Sequence, residues 1–84
     1  METKIANLSE TSIALRYLKA TGFILTPDRI HETLNLQTSR ATLGRKLRAY
    51  SEGANPKLVR AYYINERGRR IACFGWNPDY KENK

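Results

Sequence analysis

The sequence predicts a small α+β fold, mainly α with one β-hairpin, in the order helix, short strand, helix, helix, hairpin. Three observations carry this. Hydroxyl residues with helix-start chemistry behind them stand at Ser9–Ser12, at Thr26 and at Thr38–Ser39. Two β-rich runs, Leu58 to Ile64 and Arg70 to Trp76, flank a polar turn that holds Asn65 and Gly68. Finally, 84 residues with 40% hydrophobic and 27% charged content suit one core, and fall far short of the ~250 residues a barrel needs.

Residues 1–8 read as a lead-in, 9–76 as the domain and 77–84 as a loose tail. Ser9, Thr11 or Ser12 caps the first helix and Glu10 suits its positive end. Ile13 or Ala14, with Tyr17 and Leu18, makes its apolar stripe, and Gly22 ends it. Phe23-Ile24-Leu25 is β-prone and very short. Thr26-Pro27-Asp28 opens the second helix, because proline at the first turn lacks only an N–H that had no partner anyway. Ile30 and Leu34 face one way, and this helix ends near Asn35. After the turn Leu36-Gln37-Thr38, a third helix runs from Arg40 to about Glu52, stopped by Gly53. Leu43, Leu47 and Tyr50 form its inner stripe; Ala41, Arg45 and Arg48 lie opposite, with Thr42 and Gly44 on the margins. Asn77-Pro78-Asp79 breaks the second strand of the hairpin.

Charge is distributed unevenly. The chain carries 15 Lys and Arg against 8 Asp and Glu, a net +7. Nine of the basic residues and two of the acidic ones lie between Thr38 and Arg70, so the third helix and the hairpin hold the whole excess. Seven of those nine are arginine, which grips phosphate and guanine edges with two nitrogens at once. Such an excess points to nucleic acid first, and to an acidic membrane or protein second.

Ser39-Arg40-Ala41-Thr42-Leu43-Gly44-Arg45-Lys46-Leu47 resembles the recognition helix of bacterial winged helix-turn-helix regulators, in which a Ser-Arg-x-Thr-aliphatic-x-Arg-x-Leu pattern is common. The element order over residues 9–76 is similar to that fold as well. One feature departs from the pattern. Leu36 stands three positions before Ser39, so Gln37 and Thr38 lengthen the turn between the second and third helices, which bears on the angle between them. The resemblance implies a double-stranded DNA-binding protein that regulates transcription, with the third helix in the major groove and an Arg-rich wing on the backbone or in the minor groove. It implies Ser39, Arg40, Ala41, Thr42, Gly44, Arg45 and Arg48 on the helix, and Arg67, Gly68, Arg69 and Arg70 in the wing, as the contact residues. Ala41 and Gly44 leave room for bases to approach the helix backbone, although glycine costs up to ~1 kcal/mol there relative to alanine. Gly44 equally suits a packing contact with the second helix.

The rival reading is a winged-helix protein-interaction module, or a basic inhibitor of a nucleic-acid machine. Tyr62, Tyr63, Phe74 and Trp76 are expected mostly as hairpin core, yet both hairpin faces are rather apolar, which admits a homodimer or partner surface. No catalytic constellation is visible, so no enzyme is expected. His31 has no second His or Cys near it for a metal site, and no cofactor or small-molecule effector is expected. Cys73 reads as a buried small hydrophobe. The first residues lack the apolar core of a signal peptide and no run is long enough to cross a membrane, so a cytoplasmic location is expected.

Overall fold

The computed structural model describes residues 9–82. Its elements are α1 (Glu10–Thr21), β1 (Ile24–Leu25), α2 (Pro27–Leu34), α3 (Arg40–Tyr50), β2 (Leu58–Ile64) and β3 (Arg70–Trp76). Each helix starts at a hydroxyl that accepts an otherwise unpaired backbone N–H. Ser9 accepts from Ser12 at 3.0 Å, Thr26 from Arg29 at 3.1 Å and Ser39 from Thr42 at 3.1 Å. Asn35, in the left-handed conformation at φ 53°, closes α2. The third helix stops at Tyr50, two residues before the expected Glu52. The amide and hydroxyl of Ser51 both donate to the carbonyl of Arg48, at 3.0 and 2.7 Å, and this tightens the last turn before Gly53 is reached.

The three strands form one antiparallel sheet in the order β1-β3-β2. Ile24 pairs with Gly75 and Leu25 with Phe74; Leu58 pairs with Trp76 and Ile64 with Arg70. Phe23 lies outside the strand and sets its ring edge-on to Tyr17, with centroids 6.3 Å apart. Gly75 is required by this arrangement. A Cβ there would lie 2.7 Å from Ile24 Cγ1 and 3.0 Å from the Phe23 carbonyl oxygen, so a side chain would force the Ile24 side chain and the backbone at Phe23 to shift.

The core gathers buried residues from each helix and from the hairpin: Ala14, Leu15 and Leu18 of α1, Ile30 of α2, Leu43 and Leu47 of α3, and Leu58 and Phe74 of the hairpin, with Leu36 from the turn. Of the two candidates on α1, Ala14 faces in and Ile13 faces solvent. Several expectations are corrected. Tyr50 is not part of the inner stripe of α3. It lies at the surface under the ammonium of Lys57, which is 5.5 Å from its ring centroid and 5.8 Å from that of Tyr80. Tyr62 and Tyr63 are about half exposed instead of core, because β2 outruns the helical layer: burial falls from Leu58 at 0% to Ile64 at 64% exposure. Cys73 is only partly buried, and that burial still pushes its thiol pKa up. Residues 77–82 are tied down where a loose tail was expected. Asn55 and Lys81 exchange two hydrogen bonds at 2.7 and 3.1 Å, the Asn77 amide donates to the Lys57 carbonyl at 2.8 Å, and Tyr80 meets Trp76 edge-on at 5.5 Å. Among the described residues no helix is long and apolar enough to cross a membrane.

Candidate nucleic-acid interface

Two structures hold the arginine-rich half of the chain in place. The first is a clamp on the long turn between α2 and α3. The Glu10 carboxylate, from the first turn of α1, accepts the backbone N–H of Gln37 at 2.7 Å and of Thr38 at 2.6 Å. The Thr38 carbonyl lies 2.6 Å from His31 Nε2, which therefore carries the proton in this contact. Gln37 is thus fixed from α1, and Thr38 from both α1 and α2. Those backbone bonds, Gln37 first and then Thr38, hold the Glu10 carboxyl below its usual pKa, with a smaller contribution from His31. Glu10 and His31 are the residues that sequence reasoning missed. Glu10 also suits a helix start, and its partners lie 27 and 28 positions away.

The second is the anchoring of α3 itself. Leu43 and Leu47 are wholly buried, which turns Ala41, Arg45 and Arg48 outward. Beside them runs a groove of about 610 Å³ between α3, the start of α2 and β3 from Arg70 to Phe74. Arg40, Arg45 and Arg48 line it from α3, and Arg70 from β3; Pro27, Ala41 and Gly44 form part of its apolar lining. Among the described residues Asp28 is the one carboxylate in it, 4.0 Å from Arg40 Nε. Glu52, spaced to pair with Arg48 along the helix, instead lies 3.9 Å from Arg60 of β2. Among the described residues, Arg45, Arg48, Arg67 and Arg69 have no carboxylate partner.

Gly44 faces the second helix, as its alternative reading held. A Cβ there would stand 3.6 Å from Pro27 Cγ, an ordinary contact, so the packing tolerates alanine and does not itself demand glycine. Ser39 and Thr42 sit at the start of α3, but their hydroxyls bond to each other at 2.9 Å and serve the cap first.

The hairpin divides its arginines. Arg67, Gly68 and Arg69 form the tip, apart from the groove. Arg70 instead belongs to the β3 ladder, where its guanidinium lies 4.7 Å from the centre of the Tyr62 ring. The tip is shaped by Asn65, whose side-chain oxygen accepts the N–H of Arg67 and of Arg69, both at 2.9 Å. Gly68, at φ 79°, takes the left-handed position the turn needs. Asn65 was legible as a turn residue, but its two amide contacts were not.

Comparisons with known proteins bring no match, whether with family models, curated proteins or solved structures.

Proposed function

We propose that the chain binds double-stranded DNA and regulates transcription, in the manner of a winged helix-turn-helix protein. The observation that carries this reading is the groove: four arginines from α3 and β3 converge on it, with a single acid among the described residues and small residues where a duplex would approach most closely. An eleven-residue helix is about 16 Å long and enters a major groove about 12 Å wide. In this reading Arg45 and Arg48 reach base edges, Arg40 and the start of α3 meet phosphate, and Arg67 and Arg69 follow the flanking backbone or minor groove. Fluorescence anisotropy with a labelled duplex of random sequence tests it. Saturable binding at low salt is expected, and no binding at any salt would refute it.

One observation favours a second reading, that of a protein-interaction module. Tyr62, Tyr63 and Ile64 expose about half or more of their surface at the outer hairpin. If the random duplex fails to bind, these side chains become the first place to look for a protein partner.

A further inference from the structure

The sheet has an outer face that none of the described helices covers. Its strand register puts Ile24, Val59, Ala61, Tyr63, Ile71, Cys73 and Gly75 on that side, since Phe74 and Leu58 point into the core. None of these residues is charged, in a chain where 27% of residues are. Ile24 is 52% exposed and Tyr63 48%, and Val59, Ile71 and Cys73 are partly buried, Ile71 also at the edge of the groove.

We propose that this face is where a second copy of the chain docks, and that it docks on DNA and not in free solution. The inference rests on the DNA-binding reading above. Three observations select a second copy as the occupant and DNA as the condition. The first is area. Strands of seven residues give a face about 23 Å long and roughly 300–400 Å² in extent, well short of the ~800 Å² per partner of a stable complex. The second is charge. Two free copies at +7 each repel one another, and phosphates neutralise that repulsion when both sit on one duplex. An uncharged face offers an acidic partner nothing to pair with, whereas two such faces pack without leaving any charge buried. The third is spacing. Face-to-face packing makes a four-layer sandwich with α3 on the two outsides. At about 10 Å per layer the two α3 helices lie about 30 Å apart, close to the ~34 Å between successive turns of one groove. The groove is walled by α3 on one side and β3 on the other, and a two-fold axis between the sheets that runs along the groove's opening keeps both grooves on the same duplex.

The test uses the whole chain and two random-sequence duplexes, one of about 12 base pairs that holds one copy and one of about 32 that spans three turns. The free protein is expected to sediment as a monomer at tens of micromolar. Binding is expected to be hyperbolic on the short duplex and sigmoidal on the long one, the second copy binding about tenfold tighter than the first or better. Tyr63→Ser should return the long-duplex curve to non-cooperative form and leave short-duplex affinity within about twofold, since Tyr63 is half exposed and no part of the groove. Ala61→Lys, at an exposed position on the same face, should do the same and guards against a folding defect in the first variant. Alkylation of Cys73, the chain's one thiol, should slow on the filled long duplex and not on the short one. Non-cooperative binding by the wild type on the long duplex overturns this inference alone. Failure to bind either duplex overturns the DNA-binding reading and this inference with it.

Discussion

The arginines of α3 and those of the hairpin tip are the same chemical groups on supports of opposite kind. Behind Arg45 and Arg48 stand Leu43 and Leu47, both wholly buried, and a turn pinned by Glu10 and His31. Behind Arg67 and Arg69 stand only a two-stranded ribbon, exposed from Ala61 outward on β2, and the local bonds of Asn65. A guanidinium held to within a fraction of an ångström discriminates between base edges, because a misplaced donor loses its acceptor. One carried on a cantilever follows whatever backbone it meets and contributes charge. On the DNA-binding reading, arginine content alone does not separate affinity from specificity; the support beneath each arginine does.

The largest contrast lies in the supports. Leu47→Ala removes a fully buried side chain from beneath α3 and should cost ~2–5 kcal/mol, which approaches the ~3–5 kcal/mol a core this small supplies. Thermal melting should then show a largely unfolded chain. Ile64→Ala at the outer hairpin, 64% exposed, should fall within about 0.5 kcal/mol of wild type. Equal losses from the two would mean the hairpin end is packed and the cantilever picture is wrong.

Next come the arginines themselves. Arg45→Ala should cost ~1–3 kcal/mol on a preferred site selected from a random pool, and relax preference at one base step. Arg69→Ala should weaken all sequences by a similar, smaller factor. Identical, sequence-independent losses from both would show that α3 reads no bases.

The clamp gives a pH signature. The carboxyl of Glu10 is held below its unfolded value of 4.5, so it stabilises the fold above that pH, and the contribution is lost as pH falls through the depressed value. Glu10→Gln should therefore melt lower than wild type at neutral pH and converge with it in strong acid. A gap that persists unchanged there would place the effect elsewhere than in the carboxylate. The smallest effect belongs to Gly44→Ala. The space beside Pro27 admits the methyl, so stability should rise by up to ~1 kcal/mol while DNA affinity falls. A rise in both would show that the close approach at Gly44 has no role in binding.

What was legible in the sequence was local. The caps at Ser9, Thr26 and Ser39, the two strands of the hairpin and the outward face of α3 all follow from hydrogen bonds and periods that span four residues or fewer, or from one short turn. What was not legible joins distant residues. Glu10 meets Gln37 across 27 positions and Asn55 meets Lys81 across 26, and no pattern in either segment announces the other. Tyr50 shows a different limit. Its spacing from Leu43 and Leu47 places it on the inner stripe, but the helical layer ends there and Lys57 and Tyr80 take over as its neighbours. Likewise, strand alternation fixes which side Tyr62 and Tyr63 face, while their exposure depends on how far the body extends beneath the hairpin.

The central claim, that the basic surface between Thr38 and Arg70 is a DNA footprint, is tested most directly by salt. Each neutralised phosphate adds about −0.9 to the slope of log affinity against log salt concentration. Four to six phosphate contacts by the segment's other basic residues, besides Arg45 and Arg48, should give one bound copy a slope of roughly −4 to −5 on a short duplex, and replacing Arg67 and Arg69 together with Ala should make it shallower by about 2. Replacing Arg16 and Lys19 on α1, the latter already 3.4 Å from Glu82, should leave it unchanged. A wild-type slope near zero, or equal changes from the two double variants, would contradict the claim.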